Sequence, residues 1–107
     1  MYYIYMLRCE DNSIYTGITV DIKRRYKEHI DKDKEKCAKY TLRHSVKNIE
    51  ALWTTKDRKL ASKLEYHIKR LTKYKKEELI RKNNLEELLG NKIESTEYKR
   101  IDLKNIL

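Results

Sequence analysis

Apolar and aromatic residues along this chain fall into short blocks separated by charged stretches. Residues 2 to 8 read Tyr-Tyr-Ile-Tyr-Met-Leu-Arg and are followed by Glu10-Asp11-Asn12-Ser13. Aromatic and β-branched side chains suit a pleated, half-buried surface, and short polar side chains suit a turn because they bond the nearby backbone. Ile14-Tyr15-Thr16-Gly17-Ile18 resumes the first pattern, so the pair predicts a β-hairpin. Thr19 or Asp21 can cap a helix over residues 21 to 30 that carries Ile22, Tyr26 and His29 or Ile30 on one face. Residues 31 to 45 are Lys-, Asp-, Arg- and Thr-rich without an apolar period, which predicts a basic, mobile loop touching a ligand. Ile49 to Trp53 has the length and composition of a third strand.

From Asp57, Leu60, Ala61, Leu64, Ile68 and Leu71 recur at three and four residues, the period of an amphipathic helix over residues 57 to 73. Leu79, Ile80, Leu85, Leu88 and Leu89 form a further apolar stripe that stops at Gly90. The expected architecture is α/β: a small three-stranded antiparallel sheet flanked by helices. At 107 residues one core is the working size. Residues 1–90 form the domain, and the weakly patterned residues 91–107 are read as its C-terminal extension.

Charge adds a partner to this picture. Lys and Arg outnumber Asp and Glu by 26 to 17, a formal net charge of +9, which suits a polyanion. A solubilising surface would produce the same imbalance, so charge nominates nucleic acid without selecting it. No apolar run reaches the roughly 20 residues that span a bilayer, and the expectation is a cytoplasmic protein with no membrane partner. Cys9 and Cys37 form no zinc-type spacing and read as reduced thiols. Tyrosine occurs nine times and phenylalanine is absent, so most aromatic burial brings a hydroxyl that needs a partner.

The N-terminal third holds an ordered set of intervals. Tyr3-Ile4-Tyr5 lies on the first strand, Tyr15-Thr16-Gly17 follows ten residues after Tyr5, and Arg25 lies ten beyond Tyr15. With Ala38-Lys39-Tyr40-Thr41 and Glu65-Tyr66-His67-Ile68-Lys69-Arg70-Leu71, this set resembles the GIY-YIG nuclease family, and within it the small standalone bacterial members. The resemblance spans about residues 2 to 80. It implies a metal-dependent endonuclease acting on nucleic acid, DNA rather than RNA, in repair or recombination. Tyr5, Tyr15, Arg25, His29 and Glu65 would be catalytic, with Glu65 the carboxylate for a single weakly held Mg²⁺ or Mn²⁺. A protein partner supplying specificity is compatible with the absence of a recognisable second domain.

The same residues make chemical sense. Phosphodiester hydrolysis needs a deprotonated water in line with the scissile bond and compensation for charge on the phosphoryl oxygens. Tyr5 or Tyr15 can place a phenolic oxygen beside that water, and Arg25 offers a planar fork of donors for phosphate. Gly17 allows close approach of backbone or ligand, while Arg24, Tyr40 and Arg43 are read as nucleic-acid contacts. Each also has a plainer role: strand aromatics, a solvated helix face, a packed imidazole, or a Glu65 paired with Lys69 at helical spacing. The family's phosphate-orienting Asn aligns with none of Asn83, Asn84 and Asn91. The rival reading keeps the fold without the chemistry, as a basic module binding branched or single-stranded nucleic acid.

Overall fold

A computed structural model describes residues 1–31 and 38–106. β1 (Tyr2–Cys9) and β2 (Ile14–Thr19) form the expected hairpin. Its turn is held locally: the Asp11 carboxylate accepts from the Ser13 amide at 3.1 Å and from the Ser13 hydroxyl at 2.6 Å. Asn12 takes a φ of 69°, a left-handed conformation that Asn tolerates better than most residues. α1 (Ile22–Asp31) is capped by Asp21, whose carboxylate accepts from the Arg24 amide at 3.1 Å. Then come α2 (Lys39–Arg43), β3 (Val46–Thr55), α3 (Arg58–Lys69), α4 (Lys73–Lys82), α5 (Leu85–Leu89) and β4 (Lys99–Arg100).

The sheet is antiparallel throughout, in the order β2-β1-β3-β4. β1 is central and covered on both faces. Ile4 and Met6 join Ala51, Trp53, Ala61, Leu64 and Ile68 in one layer, while Tyr5 and Leu7 join Ile22, Ile49 and Leu52 in the other. Tyr5 pairs with Gly17 and Leu7 with Tyr15 across the hairpin. Because paired residues share a face, Tyr5, Tyr15 and Gly17 all lie on the α1 side.

Three features depart from the sequence expectation. The sheet has four strands, not three. β4 is two cationic residues with no strand signature of their own. It pairs with Trp53 and Thr54 because Ile93 and Tyr98 bury themselves and carry the chain back along β3. The Tyr98 hydroxyl donates to the Leu60 carbonyl at 2.8 Å, and the Arg100 guanidinium lies 5.0 Å over the Trp53 ring. Second, the helix expected over 57 to 73 stops at Lys69, and Thr72 caps α4 instead by accepting from the Lys75 amide at 3.2 Å. Third, the loop expected over 31 to 45 contains α2. Its residues 32 to 37, Cys37 among them, lie outside the described residues, whereas Cys9 is a buried free thiol.

α4 is fastened to the far end of the hairpin. Arg8 makes a two-pronged contact to Glu77, both arms at 2.5 Å, and lies 3.7 Å from Glu50. Lys73 reaches the Asn12 carbonyl. Planar guanidinium–carboxylate pairing fixes orientation as well as distance, so α4 is held against the turn end of β1.

Candidate active site

The site grows from the β1–β2 pair. An added Cβ at Gly17 would meet the Tyr5 hydroxyl oxygen at 2.5 Å and Cζ at 2.6 Å. The missing side chain is therefore filled by the Tyr5 ring rather than left open for a ligand. Gly17→Ala is expected to displace that ring and cost about 1–3 kcal/mol of stability by overpacking, read as a lower urea midpoint.

Tyr5 is 1% exposed, and its hydroxyl lies 2.9 Å from Nε2 of the fully buried His29. His29 Nδ1 lies 2.7 Å from Thr41 Oγ1, which donates to the Ala38 carbonyl at 3.1 Å. Arg25 also hydrogen-bonds the Tyr5 hydroxyl. A guanidinium can only donate, so Tyr5 Oη accepts from Arg25, and its own proton is available to Nε2. The remaining imidazole proton then sits on Nδ1 and goes to Thr41, which passes its proton to Ala38. The Thr41 end selects this tautomer, because Thr41 Oγ1 gives its proton to Ala38 and can only accept from Nδ1.

Burial, then the Arg25 charge, hold the His29 pKa down at about 4. His29, grouped with the basic residues of the first helix by its sequence position, is neutral at physiological pH. Burial, followed by the neighbouring Tyr15, pushes the Tyr5 phenol well above its ordinary range despite Arg25. Tyr5 therefore resists ionisation and anchors the cluster.

Tyr15 occupies the opposite situation. It is half-buried, with its ring centroid 6.3 Å from Tyr5 and 5.3 Å from His29. Lys69 Nζ stands 5.7 Å over its ring and 3.5 Å from Glu65 Oε2, the pairing expected from the i, i+4 spacing. α3 thus brings Glu65 and Lys69 to the β2 edge, and Arg25 senses both Tyr5 and Tyr15. Hence Tyr5, Tyr15, Arg25, His29 and Glu65, spread over 61 positions of sequence, meet at one place. Arg25 Nη1 is held 2.9 Å from Glu28, which also lies 3.8 Å from Arg24.

Sequence reasoning missed Glu28, Thr41 as a partner of His29, and Lys76. Glu28 follows Arg24 at i+4 and Arg25 at i+3, a spacing that signals ion pairs. Lys76 carries no such signal. α4 sets it half-buried, and burial followed by the Lys69 charge lowers its pKa. Asn84 donates to Glu78 at 2.8 Å and Glu87 at 3.0 Å, a structural role.

Of the residues read as nucleic-acid contacts, Tyr40 and Arg43 line one cleft with Lys39 and His44, while Gly17 lies against the Tyr5 ring and Arg24 is on α1. Arg24 and Arg43 are exposed. The Tyr40 ring has Tyr15 at 5.7 Å and stacks on His44 at 4.2 Å, so its neighbours are already aromatic, and His44 Nδ1 is 2.5 Å from Asp11 Oδ2.

Among the described residues no group of three or more His, Cys, Asp and Glu gathers as a metal-binding cluster. Glu65 offers one hard, partly exposed carboxylate already holding a cation, the Lys69 ammonium. One such oxygen donor fits a divalent ion that keeps most of its waters and shares substrate phosphate.

Fold and site together define an α/β protein whose antiparallel sheet and helices gather tyrosine, arginine and glutamate side chains at one place. The model of the GIY-YIG catalytic domain matches residues 1–78, and the chain belongs to the GIY-YIG family. It is 49% identical over 81 residues to the UPF0213 protein FN1575 of Fusobacterium nucleatum, covering 76% of this chain and 78% of that one. Against the UPF0213 protein YhbQ of Salmonella typhimurium it is 36% identical over 94 residues, covering 88% and 91%. The solution NMR structure of the UPF0213 protein BH0048 from Bacillus halodurans matches at a TM-score of 0.48 and 40% identity, over 76% of this chain and 84% of that one. No helix among the described residues is long and apolar enough to cross a membrane.

Proposed function

We propose that the protein is a metal-dependent endonuclease that hydrolyses a phosphodiester bond of nucleic acid, DNA rather than RNA, in repair or recombination. The observation that carries this reading is the division of labour between the tyrosines. Tyr5 is sealed and hydrogen-bonded on both sides, while Tyr15 is half-open between Arg25 and the Glu65–Lys69 pair. A phenol of ordinary pKa about 10 is a poor base at neutral pH, and adjacent cations favour its phenolate.

In this mechanism Tyr15 takes a proton from a water aligned with the scissile phosphorus. The water oxygen forms the new P–O bond as the bond to the leaving sugar oxygen breaks. Arg25, braced by Glu28, donates to the phosphoryl oxygens where charge builds. Glu65 would hold Mg²⁺ or Mn²⁺, which when bound supplies Lewis-acid stabilisation of the leaving oxygen. Lys69 exchanges its Glu65 contact for substrate phosphate, and His29 keeps Tyr5 and Arg25 in position.

The test incubates purified protein with labelled single-stranded, duplex, flap and four-way-junction DNA and with single-stranded RNA. Mg²⁺, Mn²⁺ or chelator is added, beside Glu65→Ala purified identically. The expected result is metal-dependent cleavage of DNA lowered by about 10²–10³-fold in Glu65→Ala, the scale of removing a transition-state charge stabiliser. Equal, metal-independent binding by both proteins with no cleavage would replace the nuclease reading with the binding module.

A further inference from the structure

α3 carries a second feature, turned about 100° from the Glu65–Lys69 face because successive helical residues advance by that angle. Between α3, α4 and α5 lies a cleft of about 410 Å³ lined by Tyr66, His67, Arg70, Lys75, Leu88 and Lys92, with no carboxylate in its lining. Arg70, Lys75 and Lys92 are exposed, and Tyr66 is 55% exposed. The Arg70 guanidinium lies 5.4 Å over one face of the Tyr66 ring. Among the described residues none of Lys63, Arg70, Lys75 and Lys92 has a carboxylate within ion-pair distance, whereas Arg24, Arg25 and Lys69 are paired with Glu28 and Glu65.

Unpaired cations gathered over a concave surface repel one another unless an anion joins them. Their field is felt at His67, whose pKa is lowered by burial and then by Lys92, Lys63 and Arg70. Leu88 and Leu89 give the cleft an apolar floor, and an exposed tyrosine ring beside an arginine suits a sugar or base edge lying between phosphates. Tyr66 and Arg70 each follow an active-site residue by one position. A strand crossing Glu65 needs to travel only about 10 Å around a helix of side-chain diameter 10–12 Å to reach them.

We propose that this cleft is a second nucleic-acid site, which grips the sugar-phosphate backbone of the bound strand beyond the scissile bond without reading its sequence. The inference rests on the reading of the protein as a nucleic-acid enzyme and assigns a substrate path to a face outside the catalytic cluster. Affinity for substrates long enough to reach the cleft depends on it, while the chemical step does not.

The test measures binding of a labelled 30-nucleotide DNA to the full chain in chelator, across a salt titration. Wild type is compared with Arg70→Glu/Lys92→Glu and with Arg58→Glu/Lys59→Glu, which makes the same charge change at the exposed start of α3. Circular dichroism melts check that each variant is folded. The cleft variant is expected to bind at least tenfold more weakly at 0.1 M salt. Its plot of log affinity against log salt should be shallower by about 2, close to one unit per lost phosphate contact. The control should keep wild-type affinity within threefold. Unchanged affinity and slope in Arg70→Glu/Lys92→Glu overturn the proposal, leave the nuclease reading standing and assign the cleft to an acidic protein instead. An equal loss in the control variant overturns it too, since net charge alone would then explain the effect. Absence of any DNA binding by wild type, together with absence of cleavage, brings down both readings.

Discussion

Tyr15→Phe is expected to lower the single-turnover cleavage rate by about 10³-fold, within the 10²–10⁴ range of general base catalysis. Its binding of nucleic acid should stay at the wild-type value. The contrast that gives this its force is Tyr5→Phe. There the lost hydroxyl leaves His29 Nε2 buried without its donor and removes one of the acceptors of Arg25, which keeps Glu28. That variant should lose about 1–3 kcal/mol of stability, the cost of unpairing a buried polar group, and only about tenfold in rate through a loosened Arg25. Rapid-quench kinetics at saturating substrate, paired with urea denaturation, separate the two patterns. If Tyr5→Phe abolishes cleavage while its denaturation midpoint is unchanged, the roles assigned to the two tyrosines are reversed.

A second large effect concerns acid. His29 binds a proton with a pKa near 6.5 when unfolded and about 4 when folded. Between those values the unfolded chain binds more protons, so stability falls as pH falls. The contribution is complete above about pH 6.5 and gone below about pH 4, and it amounts to roughly 3 kcal/mol at most. Asp11, held at about 2 by Ser13 and His44, and Glu77, held below its ordinary range first by Arg8, titrate at lower pH. Urea midpoints measured from pH 7 to pH 4 should therefore decline steeply in wild type and much less in His29→Gln, which keeps a neutral donor and acceptor. Parallel declines in the two proteins would mean that the loss comes from carboxylates and that His29 is not the acid-labile element.

The sequence by itself determined much of this protein. The tyrosine-rich alternation and the Asp-Asn-Ser turn specify the hairpin, and the intervals from Tyr5 to Tyr15 to Arg25 mark the candidate site. The four-residue step from Glu65 to Lys69 specifies their ion pair. These features are local: a strand's period, a turn's own hydrogen bonds and a helix's i, i+4 neighbours are written within a few residues. Even the break after Lys69 had its sign in Thr72, a capping residue with its acceptor oxygen three positions before Lys75.

What the tertiary structure alone decided has a different physical origin. β4 exists because buried Ile93 and Tyr98 hold two otherwise unremarkable cations against Trp53 and Thr54. Gly17 is required because the ring of Tyr5 crosses it. His29 is neutral, Tyr5 closed and Tyr15 half-open because protons are distributed along contacts 12 and 24 positions apart in the chain. Periodicity states which face of an element is apolar, but not what stands opposite that face. Protonation and access depend on what stands there, since the cost of a charge is set by the groups and the water around it.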